Sequence, residues 1–348
     1  MFTTRRDFLA ISSTLATTAF LASTALGALP SRIAPGRARS GGLFDGLFNG
    51  RTEDTYFPPV KIADNVYSLT GEGGNSLAFL AGGEALLIDT KNAGFGSQLR
   101  RDVESLGSPL KMVINTHHHY DHTGGNAAFT KDVTVLAHES AKARIGDQIQ
   151  LYARNLPQTL RTLKNVDTPI AKKIMAETEA LGKEEVTPAT YQPTKTTRGN
   201  ETLTFGGERI ELVYVGPGHT DNDLIVFFPK QNVIHTGDLV FNKVHPYFDP
   251  SGGATVQGWI KSLEKIIALC NDKTVLVPGH GEVGDVNAAK AQVAYHRRVL
   301  DEAKKAVAAK KTRPEFQKTV IDEFKDYGGD WIKPIAFGAI YDEVVEAR

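Results

Sequence analysis

The chain of 348 residues has a single cysteine, Cys270, and so can form no disulfide within itself. That count leaves the compartment open and assigns stability to packing and bound ions. Cys270 itself ends an apolar stretch away from any motif and reads as a small buried hydrophobe. The chain also lacks an excess of charge, because 40 basic and 40 acidic residues give a formal net charge of zero. No polyanion-binding surface is advertised, and nucleic acid is not an expected partner. There is no internal repeat, which excludes solenoid and propeller arrays. A phosphate-binding loop is missing too: "GEGGN", Gly71 to Asn75, has neither the lysine nor the following helix that such a loop needs, and reads as a hairpin free to flap. What remains is ordinary globular material, 41% hydrophobic and 23% charged, enough for a sizeable core.

The first 29 residues do not read as part of that core. "TTRRDFLA", Thr3 to Ala10, resembles a twin-arginine export signal, with Arg5 and Arg6 as its pair and an apolar, Ser/Thr-rich stretch behind it. Cleavage is expected near Ala25 to Ala28; the competing reading is a retained membrane anchor. Residues 30–59 are rich in Gly, Arg and Pro without a sustained period and read as a linker. The folded domain is expected over residues 60–285.

Within it, "NVYSLTG", "NSLAFLAG", "EALLIDT" and "LKMVINT" read as strands, with a helix at "GFGSQLRRDVESLG". The same grammar returns in "TLTFGGERIELVYVG", "DLIVFFP", "NVIHTGD" and "TVLVPGH", with a helix at "TVQGWIKSLEKIIALC". Two such runs suggest two packed sheets with helices outside. A polar helical insertion is expected over about 139–197, either a packing appendage or a lid, and a charge-rich helical extension over 286–348.

The densest chemistry is "INTHHHYDHTGGN", Ile114 to Asn126, at a strand end. His117 and His119 lie two apart, so an extended backbone turns both to one side and His118 to the other. Asp121 and His122 follow where Gly124 and Gly125 permit a tight turn. So many titratable groups in one small volume call for a cation to offset their desolvation and mutual crowding. Three more strand ends carry a metal-capable residue beside a glycine: His219, Asp238 and His280. His138, His235, His245 and His296 lack such a context, although His245 and Tyr247 follow Asp238 closely enough to line a pocket.

Taken in order, His117, His119, Asp121, His122, His219, Asp238 and His280 resemble the motif set of the metallo-β-lactamase superfamily of metallohydrolases, over roughly Val60 to Gly284. Asp89 in "LLIDT" matches an acidic position of that family beside the site. The resemblance implies an α/β fold, an αββα sandwich of two mixed sheets with helices outside. It further implies one metal on His117, His119 and His219 and a second on Asp121, His122 and His280. Asp238 would bridge the two, and Asp121 would orient the attacking hydroxide.

Imidazole and carboxylate donors suit two Zn²⁺ per chain, with iron and manganese as alternatives. A bridging hydroxide would then hydrolyse an ester, thioester or lactone of small size. The alternatives are β-lactam hydrolysis and a non-hydrolytic relay or binding role in an exported redox system. True β-lactamases of the superfamily usually carry cysteine or serine where Asp238 stands. The implied partners are a small-molecule substrate and, during export to the periplasm, the twin-arginine translocase; no oligomeric state is assigned.

The export reading makes a direct prediction. Replacing Arg5 and Arg6 together by lysine should leave unprocessed precursor in the cytoplasm, scored by fractionation and N-terminal sequencing. Full-length wild-type chain in the membrane would instead establish the anchor.

Overall fold

The computed structural model describes residues 54–347. The expected export signal and residues 30–53 of the expected linker lie outside the described residues. The first sheet has seven strands in chain order: β1 (Val60–Ala63), β2 (Val66–Leu69), β3 (Ser76–Ala81), β4 (Glu84–Ile88), β5 (Leu110–Ile114), β6 (Thr134–His138) and β7 (Lys195–Thr197). Strands β1 to β4 pair antiparallel, while β4 to β7 run parallel.

In the second half, β8 (Glu201–Phe205), β9 (Glu208–Val213), β10 (Ile225–Phe228), β11 (Val233–His235) and β13 (Val275–Val277) form a five-stranded sheet in the order β13-β11-β10-β9-β8. The short strands β12 (Phe241–Asn242) and β14 (His280–Gly281) pair in parallel beside it.

The apolar runs explain the layering. In β4, Ala85 and Leu87 join the core under the outer helices, whereas Leu86 and Ile88 join the core between the sheets. Alternate side chains of one continuous apolar run are thus buried on opposite faces, as a strand in a covered parallel sheet requires. Between the sheets, Phe79 of β3 meets Phe228 of β10 with ring centroids 4.9 Å apart. On the outer face of the first sheet lies helix α1 (Gly96–Glu104), burying Leu99 and Val103. The outer face of the second is covered by α2 (Val256–Leu269), α3 (Val286–Ala308) and α4 (Lys333–Glu346), with Trp259, Ile266, Tyr295 and Phe337 in one core. Helix, sheet, sheet, helix is the expected αββα order.

Two boundaries differ from the sequence reading. Tyr56 and Phe57, expected in the linker, are buried against Phe95 of the first core, and Asp102 Oδ2 accepts both of their backbone N–H groups. Apolar aromatic surface, too sparse there to show a period, is what ties this segment down. The extension after Val286 is continuous with the second core instead of standing apart from it.

The insertion also resolves into a definite role. After its helices, the chain returns as β7, which pairs with β6, so the stretch 139–197 ends inside the first sheet. The helices pack behind the histidine turn: the Tyr152 and Thr123 hydroxyls are 2.7 Å apart, Asn126 Nδ2 donates to the Tyr191 carbonyl, and Thr159 Oγ1 donates to the Ala93 carbonyl. They buttress the turn, and Arg144 of the same insertion also reaches Asp221, in the loop after β9, and the Ser251 carbonyl, just past Asp249.

Phe57→Ala should lower stability by about 3 kcal/mol or more, the usual cost of emptying a buried aromatic site. A denaturant titration checks it, and an unchanged midpoint would return residues 54–59 to the linker.

Candidate metal centre

Each strand end delivers its residues to one side of the sandwich. The chain leaves β5 into the histidine turn, β9 into the loop bearing His219, β11 into the short turn bearing Asp238, and β13 into β14, which starts at His280. Two groups result. His117, His119, His219 and Asp238 each offer one donor atom to a common volume, as do Asp121, His122 and His280, with all donor atoms of a group within 4.8 Å of one another.

Asp238 stands between the groups. Its Oδ2 lies 3.8 Å from His117 Nε2 and 3.4 Å from His219 Nε2, and its Oδ1 lies 3.0 Å from His122 Nε2 and 3.4 Å from His280 Nε2. His280 Nε2 is also 3.1 Å from Asp121 Oδ2. Gly279 is needed for this approach, since a Cβ there would sit 1.9 Å from Asp238 Oδ1.

A surrounding shell fixes which ring nitrogen faces inward. Asp89 accepts from the Thr116 backbone N–H and hydroxyl at 2.8 Å each and from His122 Nδ1 at 2.7 Å. Because the Thr116 hydroxyl gives its one proton to Asp89, it accepts from His117 Nδ1 at 3.0 Å. His219 Nδ1 donates to the Tyr247 carbonyl at 2.9 Å. His119 is reversed: its Nε2 donates to Asp249 at 3.0 Å, which leaves Nδ1 for the site. With outward protons so assigned, Nε2 of His117, His122 and His219 and Nδ1 of His119 face the site; His117 and His219 present theirs bare, whereas the carboxylates around His122 and His119 favour a second proton there that a cation would displace.

Those inward-facing atoms test whether a cation fits. His119 Nδ1 and His219 Nε2 are 2.9 Å apart, each ring having a proton on its other nitrogen, so either a second proton on His119 or a cation lies between them. His117 Nε2, Asp121 Oδ2 and Asp238 Oδ1 are buried without a hydrogen-bond partner among the described residues. Buried lone pairs facing one another are costly unless a positive charge lies between them. Two donors of a tetrahedral Zn²⁺ site, each about 2.0–2.1 Å from the ion, stand about 3.3 Å apart, within the range seen here. The donor set fits a divalent cation.

The two groups differ electrically. In the first group, burial pushes His219 down to about 3 and His117 well below the ordinary histidine range, while Asp249 raises His119 against its own burial. Burial also opposes a charge on His280 and His122, but the carboxylates outweigh it: Asp238 and Asp121 raise His280 to about 9, and Asp238, Asp121 and Asp89 raise His122 well above its usual value. Against its own burial, Asp238 is held well below the carboxylate range by His280 and His122. The second group is therefore a negative pocket that attracts cations or protons alike.

The remaining candidates separate cleanly. His118 joins neither of these groups: its Nδ1 accepts from Asn222 Nδ2 at 2.9 Å, and its Nε2, buried without a hydrogen-bond partner among the described residues and 3.9 Å from Asp249 Oδ2, forms a third cluster with His119 and Asp249. Tyr247 lies against His119 and His219, with ring centroids 5.7 and 6.4 Å away. His245 instead pairs with Tyr295 through Nδ1. His235 accepts from the Gly237 N–H and donates to the Asn75 carbonyl, His296 pairs with Gln292, and His138 accepts from the Ser140 N–H at a helix start. Asp249, Thr116, Asn222 and Lys91 escaped the sequence reading. Only Thr116 had a signal, its place beside the first ligand at the strand end.

The loop Gly71 to Asn75 is clamped and does not hang free over the site. Gly74 N–H donates to the Asp121 carbonyl, Asn75 N–H to the Gly279 carbonyl, and Asn75 Nδ2 to the carbonyls of Pro278 and Gly281. Its backbone bonds hold it to two of the turns that carry the candidate ligands.

A sequence model of the metallo-beta-lactamase superfamily matches residues 69–280, which contain every residue of both groups. The chain belongs to this superfamily. A metallo-beta-lactamase type 2 from Bacillus cereus is 28% identical over 158 residues, 45% of this chain and 59% of that protein. The chain thus matches under two thirds of the length of that curated relative. A probable metallo-hydrolase of Methanocaldococcus jannaschii is 26% identical over 63% of this chain and 94% of its own length. Among solved structures, a metallo-beta-lactamase from Pontibacter korlensis has a TM-score of 0.52 at 20% identity, covering 70% of this chain and 99% of its own. That last likeness is one of fold.

For this superfamily member, the field around His280 and His122 sets a pH dependence. Both imidazoles must lose a proton before they can hold a cation, so cation affinity at the Asp121, His122 and His280 group rises with pH up to about 9. Acidification from pH ~8 to ~5 should weaken cation binding more at that group, where two rings are raised, than at the first, where His119 alone is raised and His117 and His219 are already neutral across this range. Metal analysis after dialysis, with Co²⁺ as an optical reporter, measures the order of loss. Simultaneous loss would contradict the asymmetry.

Proposed function

We propose that the protein is a metallohydrolase holding two divalent cations and cleaving an ester, thioester or lactone of small size. The observation that carries this reading is Asp238, whose two oxygens face the two donor groups separately. A carboxylate so placed offsets the mutual repulsion of two close cations. His117, His119 and His219 would hold one ion and Asp121, His122 and His280 the other. Zn²⁺ is the ion best matched to nitrogen and carboxylate donors, and iron or manganese would use the same ligands.

When bound, such a pair of ions lowers the pKa of water and polarises the scissile carbonyl. The chain supplies the rest. Asp121 offers one carboxylate oxygen to its group and keeps the other to orient the attacking water and take its proton. Asp89 and Asp249 hold the imidazoles in the orientation that faces the reaction. Tyr247 lies over the first group, partly exposed, with a hydroxyl that has no partner among the described residues, and contacts the substrate from that side.

A β-lactam is the second reading, favoured by the name of the Bacillus cereus relative. Export to the periplasm through the twin-arginine translocase is part of the proposal and rests on Arg5, Arg6 and the apolar, Ser/Thr-rich stretch that follows them. Purified protein should be assayed against nitrocefin, a lactone and a thioester. Full metal occupancy without turnover of any would move the protein to a relay or binding role.

Asp238→Asn keeps the volume but removes the charge. Metal content should fall from about two to about one per chain, and hydrolysis at least ~10²-fold. A variant that keeps two ions and wild-type turnover would reduce Asp238 to a neighbour of the site.

A further inference from the structure

Lys91 is the one lysine among the described residues that is wholly buried. Its ammonium donates to the Leu69 carbonyl at 2.7 Å and the Gly74 carbonyl at 2.6 Å, and lies 5.6 Å from the Phe57 ring centre. None of the ion pairs among the described residues includes it: carbonyl dipoles and a ring face are its direct contacts, and the carboxylates of Asp89, Glu72 and Asp121 favour its charge from farther off. Burial pulls this ammonium down to about 7, which reflects a large desolvation cost. A leucine or methionine would fill the same space without that cost, so the contacts made by the ammonium call for a reason beyond packing.

The reason lies in what Gly74 touches. A Cβ on Gly74 would fall 2.1 Å from His122 Cε1, so its backbone rests directly on the imidazole. Its N–H holds the Asp121 carbonyl at 3.1 Å, and a Cβ on Gly73 would be 2.6 Å from that same oxygen. The next residue, Asn75, ties to Gly279 and Gly281 on either side of His280. The short segment from Gly73 to Asn75 therefore braces all three residues of the second donor group, or the turns that carry them. Lys91 holds that segment from beneath through its side chain, and its own carbonyl accepts from Gly125 N–H just past His122.

We propose that Lys91 is a positioning residue for the second donor group: by holding the Gly74 carbonyl it keeps the glycine segment against His122 and Asp121, and so sets the cation affinity of that group selectively. The inference rests on the two-cation reading above. It adds a determinant outside the ligands and their direct partners, and no step of the hydrolysis passes through it.

The test uses metal-free full-length protein titrated with Zn²⁺ against a chromophoric chelator, and with Co²⁺ to separate the two groups by spectrum. Lys91→Met keeps the apolar stem beside Phe57 and removes the ammonium. The tighter and weaker binding steps of the wild type should respond unequally: the step assigned to Asp121, His122 and His280 should weaken by ~10- to 100-fold, the other by less than ~2-fold. Amide hydrogen exchange at Gly73 and Gly74 should speed up together with that loss. Ile266→Val, a core change far from the site, serves as a control for lowered stability and should leave both steps unchanged.

Two intact binding steps in Lys91→Met, or equal weakening of both, would overturn the inference while leaving the two-cation reading in place. A wild type that binds one cation would overturn that reading and the inference with it. Should the methionine variant fail to fold, Lys91→Arg, which keeps charge and donors but not their geometry, is judged by the same selectivity.

Discussion

The site depends first on one buried carboxylate. Asp89 ends β4 with a left-handed backbone, φ +59°, an uncommon conformation for a residue with a Cβ. It is completely buried, and its two oxygens take three donors from Thr116 and His122. Through the Thr116 hydroxyl it also orients His117, so a single anion sets the inward nitrogen of one residue in each donor group. Remove that acceptor and both rings can turn over, which would direct protons where lone pairs now point. The backbone strain at Asp89 is retained because the hydrogen bonds around it leave little alternative.

From that anchor the rest of the centre follows as a problem in crowding. Seven donor side chains converge from four strand ends, and the protein groups nearest them supply orientation more than charge neutralisation. Burial alone would discharge the imidazoles, and at His117 and His219 it does. At His122 and His280 the carboxylates win, because two or three of them lie within a few ångströms. The outcome is a centre with two unlike halves that share Asp238. The insertion helices and the glycine segment both stiffen the same turn.

Much of this was legible in the sequence. Apolar runs between glycines located the strands of both sheets, because burial on two faces leaves an unbroken apolar signature. The spacing of His117 and His119 and the recurrence of a histidine or aspartate at strand ends pointed to the seven side chains that the fold brings together. Strands β1, β6 and β7 were less legible: β1 and β7 are short edge strands with exposed residues, and β6, though as long as β4 and β5, has only Val135, Leu136 and Ala137 as its apolar run. Asp249 and Lys91 were silent for a different reason. Each acts through a partner distant in sequence, His119 for one and Gly74 for the other, and only the folded chain brings the pairs together. Tyr56 and Phe57 were lost in a stretch whose glycines and arginines dominate its composition.

The way the sheets are threaded bears on how the protein is made. The histidine turn leaves β5, yet its partners arrive from β9, β11 and β13, and His280 comes just before the long helix α3. During synthesis the first sheet can assemble while the second is still being translated, since domains tend to form from the leading end. A nascent chain at that stage displays His117, His119, Asp121 and His122 without His219, Asp238 or His280. Such a fragment is an incomplete chelator, able to pick up whichever ion is at hand but unable to enclose it. The full set of seven donors therefore exists only in the finished protein, once the second sheet has closed over the first.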